Sequence, residues 1–454
     1  MAKTYNSYKD SGVEWIGEIP EGWEVLALKR IFKIIAGATP KSENEAYWDG
    51  DIAWITPADY KTEQKYVSFG RRNLSEQGYH ACSTVLLPKG SIVFSKRAPI
   101  GLVAITEREL CTNQGCLGCV PIRDVSNVFM YYLLSVYTEQ FELYGSGTTF
   151  KEISANNFAN FKLMLPPLSE QQSIASFLDT KCGEIDSLIS LQEEMISELQ
   201  AYKQSVITEA VTKGLDPNAK MNCCASREKN DACISSSETQ PAIERKFKDS
   251  GVEWIGEIPS EWGVCRIKDI YQERSETTET GTERLLSVSE YYGVAPTADK
   301  IEDGDYLTRA ESLIGYKKCY KDDFVSNIML AWKGSFGTTK YDGIVSPAYC
   351  VYKPVSTISP EYYHYLFRTD LYKSRFKSYS KGIIDSRLRL YTPFFYLVDA
   401  ILPPLSEQQA IASYLDAKTS QIDSLISLKQ QKIDELKSYK KSIIYEYVTG
   451  KKRV

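Results

Sequence analysis

Cys111, Cys116 and Cys119 have a C-x4-C-x2-C spacing that could hold zinc or an iron–sulfur cluster. No fourth ligand stands nearby, and the chain has only two histidines, His80 and His364. The surrounding LCTNQGCLGCVP predicts a turn feeding a buried strand, with cysteine acting as a small apolar residue. Asp51 with Glu63 and Lys65 imitates the carboxylate–lysine set of a nuclease, a spacing that arises often by chance. TGKK at Thr449 lacks the upstream glycine of a phosphate loop, and no glycine-rich cofactor fingerprint follows a strand. The two LPPL segments lack the polar residue and the aromatic that flank Pro-Pro where a flipped base is held. Two histidines support no Ser/His/Asp set. Catalysis is not where the residues point.

Donors suited to nucleic acid are more promising. Base edges are met by Arg, Lys, Asn and Gln, and phosphates by Lys, Arg, Ser and Thr. In the first half of the chain the candidates are Lys96, Arg97, Thr148, Thr149 and Lys151, with Arg71 and Arg72 for phosphates. In the second half they are Lys333, Ser335, Lys381, Ser386, Arg387 and Arg389. Between 368 and 389, Arg368, Lys373, Arg375, Lys377, Lys381, Arg387 and Arg389 face only Asp370 and Asp385. A solvated, lysine-rich helix face gives the same pattern. Net charge is −5, but only the surface facing a duplex must be basic.

What positions these residues is a duplication. LPPLSEQQSIASFLD… at 165–214 recurs as LPPLSEQQAIASYLD… at 402–451, with 31 of 50 aligned positions identical. KDSGVEWIGEIP at 9–20 recurs letter for letter at 248–259. The two offsets differ by only two residues, so one whole unit has been duplicated. In each copy Ser169 or Ser406 can cap a helix, with Gln172 or Gln409 completing a capping box behind the two prolines. Past a possible break at Cys182-Gly183, an apolar stripe with three–four spacing follows. Its members include Ile185, Leu188, Leu199 and Tyr202, repeated as Ile422, Leu425, Leu436 and Tyr439. Gln192, Lys429 and Lys432 interrupt the stripe. The obvious partner of each stripe is the other one, although each could also pack on its own domain. From Glu184 to Val211 the helix runs roughly 40 Å at about 1.5 Å per residue. DNA half-sites one turn apart lie roughly 34–36 Å from each other, so the helix has the length of a ruler.

The plan is therefore a mixed α/β domain with a lead-in at 1–164 and spacer helices at 165–214. A linker-like segment at 215–247 precedes a second mixed domain at 248–401 and further spacer helices at 402–454. Trp15, Ile16 and Ile19 of the lead-in are expected to pack on the helical scaffold. SIVFSKRAPIG lies over NIMLAWKGSFG, setting Arg97 opposite Lys333, and GTTFKEI lies over GIIDSRL, setting Lys151 near Arg387. Hydrophobic content of 43% with 25% charged residues suits a globular protein, and the eleven cysteines form no disulfide framework. No apolar run reaches membrane-spanning length and the first residues lack a signal-peptide core, so a cytoplasmic address is expected.

The doubled L-P-P-L-S-E-Q-Q-x-I-A with D-x-L-I heptads, each copy preceded by GVEWIGEIP and a divergent domain, resembles the specificity subunit of type I restriction–modification enzymes. GATPKSENEAYWDGDIAWITPAD and AWKGSFG…YDGIVSPAY are similar to known target-recognition domains. The resemblance implies an α+β fold in which two target-recognition domains are separated by an antiparallel coiled coil. Each domain is then expected to recognise half of a bipartite double-stranded DNA sequence, in a system of defence against phage. The helices are expected to dock two methyltransferase subunits, with restriction–translocation subunits joining them. S-adenosylmethionine, ATP and magnesium belong to those partners in this family, and none is expected on this chain. A coiled-coil scaffold whose domains bind other proteins is the competing expectation.

Overall fold

The computed structural model describes residues 4–145, 151–215, 245–297 and 312–454. The chain forms two compact units, one of Met1–Glu193 with Lys429–Val454 and one of Glu194–Leu428. Each holds a globular domain and a part of each long helix.

In unit 1 the principal sheet has five strands. Its order is Phe32–Ala36, Cys116–Pro121, Ile92–Lys96, Ile100–Thr106, Tyr66–Val67, antiparallel except for the last pair. Strand Ile92–Lys96 shows why its sequence is apolar on both sides. Ile92 and Phe94 enter the core shared with helix Asn127–Ser135, while Val93 enters a separate cluster on the opposite face. Unit 2 repeats the device on a four-stranded sheet, Tyr271–Arg274, Tyr349–Pro354, Phe324–Asn327, Phe336–Thr338. There Phe324 joins the main core and Val325 the opposite one. In both units a helix pair follows the sheet, and a short strand then leads into a long helix.

The first spacer helix, Leu168–Lys213, runs without interruption through Cys182-Gly183, so the expected break is absent. The second is Leu405–Val448. The amides of Glu170 and Gln171 both donate to the Pro167 carbonyl, as those of Glu407 and Gln408 do to Pro404. The helices thus begin at the residue after Pro-Pro, and Ser169 and Ser406 lie inside the first turn instead of capping it.

Gln171 does what the cap was expected to do, on a larger scale. It is 1% exposed, and its side chain donates to the Pro166 carbonyl (2.8 Å) and accepts from the Ser126 amide (2.9 Å). Ser126 caps the first helix that packs on the sheet, so one amide joins the globular domain to the spacer helix. Gln408 repeats this with Pro403 and Ser359, both at 2.8 Å. The neighbouring Glu170 accepts from Trp23 (3.2 Å) and Tyr5 (2.6 Å), and Glu407 accepts from Trp262 (2.7 Å) and pairs with Arg245. Ile19 does lie in the core containing Ile443 and Tyr447 of the second helix. Trp15 and Ile16 pack against the same core, where the Trp15 ring meets Tyr137 and Phe161 of the globular domain.

Within unit 1 the two helices run antiparallel: Phe177 meets Tyr447, Asp186 meets Lys440 (2.6 Å), and Gln192 meets Lys429 (3.2 Å). Within unit 2, Lys203 pairs with Asp423 at 2.7 Å, which is the Asp186–Lys440 pair with the helices exchanged. Ile185, Ile422 and Ile433 are buried, and Leu199 and Leu436 are half-buried. Leu188, Tyr202, Leu425 and Tyr439 are not in the seam; they are exposed by 48%, 49%, 48% and 56%. Three–four spacing from Ile185 passes through 189, 192, 196, 199 and 203, so Leu188 and Tyr202 each fall one place off the stripe. Lys203 and Lys440 occupy the seam places, packing their stems while the ammonium groups reach a carboxylate.

Gln171→Ala leaves the Ser126 amide and the Pro166 carbonyl without partners. Equilibrium denaturation is expected to show a loss of about 2–4 kcal/mol in unit 1, and Gln408→Ala the same in unit 2. A loss under about 0.5 kcal/mol, the size of an ordinary surface substitution, contradicts the role given to the joint.

Candidate nucleic-acid interface

The expected donors gather at the same place in each unit. Arg97 lies in the loop joining Ile92–Lys96 to Ile100–Thr106, and Lys333 ends the turn joining Phe324–Asn327 to Phe336–Thr338. Lys151 and the 381–389 segment each follow the helix pair. A backbone hydrogen bond ties the two loops of each unit together. It runs from the Ile153 amide to the Lys96 carbonyl (3.0 Å) in unit 1, and from Leu390 to Ile328 (2.9 Å) in unit 2.

In unit 1, Lys96 and Arg97 share Glu152 at 2.7 and 3.4 Å, and Lys151 is exposed beside it. The Lys96 hydrogen bond and the charge of both cations hold the Glu152 carboxyl below its usual range. Two cations thus share one anion, with a third exposed next to it in the chain. Thr148 and Thr149 lie outside the described residues. Arg72 begins a strand of a different, three-stranded sheet, and Arg71 lies in the bend before it. Arg71 is exposed with Asp59 at 3.8 Å, and the Arg72 guanidinium lies 4.1 Å from the Trp48 ring centre.

In unit 2, Lys333 is exposed and 5.3 Å from the Trp332 ring centre. Lys377 approaches the same ring at 4.8 Å and pairs with Asp385 at 3.0 Å. Lys381 and Arg387 are exposed, and Arg389 donates to the Leu388 carbonyl at 2.9 Å. Ser386 lies in a turn whose backbone alone is described. Ser335 is corrected: it is 1% exposed and its hydroxyl donates to the Val288 carbonyl (3.1 Å), so nothing remains to meet a duplex.

Arg368 also departs from a solvated basic surface. Its guanidinium donates to five carbonyls, those of Ser289, Glu290, Tyr291, Gly334 and Phe336, at 2.6 to 3.5 Å. Burial lowers its pKa, and the five carbonyls offset the lost hydration. This one side chain fixes the 289–291 turn, whose Tyr291 is 84% exposed, against the Lys333 loop. His364 beside it accepts from the Thr338 amide (3.3 Å); burial, then the charges of Arg368 and Lys340, push its pKa down to about 3, so the ring is neutral. Tyr291, Lys333, Arg368 and Lys373 line a pocket of about 360 Å³ together with Lys203 and Asp423 of the spacer helices. No sequence pattern marks Arg368 or Glu152, because their partners are remote in the chain or are backbone atoms.

The residues that could have carried other chemistry are committed elsewhere. Cys111, Cys116 and Cys119 are fully buried in three different apolar clusters. Burial pushes the Cys111 thiol up to about 11, that of Cys116 up to about 12, and that of Cys119 upward as well. Lys65 is paired with Asp179 and lies near the Tyr132 ring, away from any nuclease-like set. Among the described residues, no group of three His, Cys, Asp or Glu side chains could hold a metal ion, and no helix is long and apolar enough to cross a membrane.

Against known proteins, the model of the type I restriction modification DNA specificity domain matches twice, at residues 20–201 and 259–438. The chain belongs to that family. The MjaIX specificity subunit of Methanocaldococcus jannaschii is 33% identical over 263 residues, 57% of this chain and 54% of that protein. The MjaVIII specificity subunit of the same organism is 24% identical across 96% of this chain and 94% of its own length. The chain spans about half the length of the MjaIX and MjaX subunits in these matches. Two solved structures share the fold at 15% identity, each covering 95% of this chain and 98% of the other. One is described as the structural basis underlying complex assembly and conformational transition of the type I R-M system (TM-score 0.67). The other is the HsdS subunit of Thermoanaerobacter tengcongensis (TM-score 0.52).

Arg368→Met removes five hydrogen bonds to backbone carbonyls, most of them part-buried, without opening a large cavity. Unit 2 is expected to lose at least about 3 kcal/mol, and amide exchange over 289–292 to accelerate. Unchanged exchange there contradicts its assignment as the residue that fixes the turn.

Proposed function

We propose that this chain is the DNA sequence-recognition subunit of a type I restriction–modification enzyme and has no catalytic centre of its own. In this reading each globular domain binds one half of a bipartite, asymmetric duplex sequence, and the paired spacer helices set the gap between the halves. One observation carries it: the joint and the helices recur nearly unchanged while the cationic loops mounted on them differ. Unit 1 offers Lys96 and Arg97 on Glu152, with Lys151 exposed next in the chain; unit 2 offers Lys333 beside Trp332, with Lys381, Arg387 and Arg389 in the segment after the helix pair. Equivalent frames with different donors suit two different half-sequences.

The same reading covers partners. Leu188 and Leu191 are about half exposed in unit 1, and so are their equivalents Leu425 and Leu428 in unit 2. Identical apolar residues left outside the seam of both helices suit two copies of one partner, the methyltransferase subunit. S-adenosylmethionine, ATP and magnesium are then held by the methyltransferase and restriction–translocation subunits, in the cytoplasm where the assembly meets DNA.

The test is a genome-wide adenine methylation map of cells that express this chain with its methyltransferase subunit, against cells lacking the chain. A new split motif, two short halves around a fixed gap, is expected. Co-purification of the two proteins without any new motif favours a protein-binding scaffold and contradicts the proposal.

A further inference from the structure

The most exposed large apolar side chain among the described residues is Ile383, at 99%, and its neighbour Ile384 is 54% exposed. They form the tip of a closed finger. At its base Lys381 and Arg389 exchange backbone hydrogen bonds of 2.8 and 2.9 Å, and Leu388 and Leu390 are buried. Within it the Arg387 amide donates to Ile384 (2.8 Å) and that of Leu388 to Asp385 (3.2 Å). Lys377 grips Asp385 from the preceding helix. These bonds give the finger a fixed shape, and that shape points two β-branched side chains away from every core.

Its charge selects the occupant. Lys381 and Arg387 are exposed on the finger, and Lys377 pairs with Asp385 at its side, so cations surround the apolar tip. Duplex DNA presents the complementary pattern: anionic backbones flank a groove whose floor carries thymine methyl groups and stacked base edges. We infer that Ile383 and Ile384 are specificity-determining residues of the second domain, making apolar contact with bases while the cations behind them hold phosphates. This rests on the DNA-recognition reading and extends it to residues that donate no hydrogen bond. A purely polar surface would read the half-site without them.

The full-length chain, assembled with its methyltransferase subunit, is to be incubated with a randomised duplex library and the retained sequences read. The wild-type chain, Ile383→Ser/Ile384→Ser and Lys381→Gln/Arg387→Gln are compared, with melting curves to confirm that each folds. The wild type is expected to enrich a split motif. The apolar double variant should lose roughly tenfold discrimination at one or two positions of one half and leave the other half intact. The charge variant should bind all sequences more weakly, with the salt slope reduced by about two and the motif unchanged. A wild type without a motif overturns the DNA reading and this inference with it. A wild-type motif retained at full strength by the apolar variant overturns this inference alone, as does transfer of the assembly from DNA to anionic lipid vesicles that depends on the two isoleucines.

Discussion

Each half of this protein depends on a buried glutamine amide. A carboxamide at 1% exposure must have its hydrogen bonds met inside the protein, and Gln171 meets them with a proline carbonyl on one side and the cap of the domain's first helix on the other. Three chain segments are thereby fixed at one point: the Pro-Pro entry, the spacer helix and the helix that packs on the sheet. Gln408 imposes the same constraint on the second unit. The adjacent Glu170 and Glu407 extend it to Trp23 and Trp262, so the lead-in strands are tied to the same turn. A recurring SEQQ motif is the sequence form of a recurring joint.

Once the joint is fixed, the far side of each sheet is free to change. The loop pairs sit on strands whose alternate faces are buried in two cores, and a backbone hydrogen bond ties the two loops of each pair together. Their side chains can differ without disturbing either core. In unit 1 a carboxylate is shared between two cations, and in unit 2 an arginine is spent entirely on carbonyls to shape a turn. Both arrangements orient charge. The helix seam likewise accepts Lys203, Lys440 and the Gln192–Lys429 pair, which give up apolar contact for defined register.

Much of this was legible in the sequence, because duplication turns one pattern into two. The long helices, the mixed domains, the order of elements and the location of Arg97, Lys333, Lys151 and Arg387 on paired loops all follow from aligning the copies. Heptad phase was harder. Leu188 and Leu425 are as apolar as the true seam residues, and only the packed helices show that the stripe continues one residue later. Ser169 does not cap the helix because the helix starts two residues earlier, straight after Pro-Pro. Ser335 looked like a loop donor but is buried by the turn that Gly334 closes, with its hydroxyl used internally. Arg368 stood in a basic stretch and left no sign that its partners would be backbone carbonyls from two distant loops.

The most direct test of the account is to exchange residues 21–164 for the equivalent domain of another member of the family, keeping 165–214 and 402–454, and to map adenine methylation. The account predicts that one half of the split motif changes while the other half and the gap stay as they were. A change in both halves, or an altered gap, would contradict the claim that each domain reads independently from a common joint.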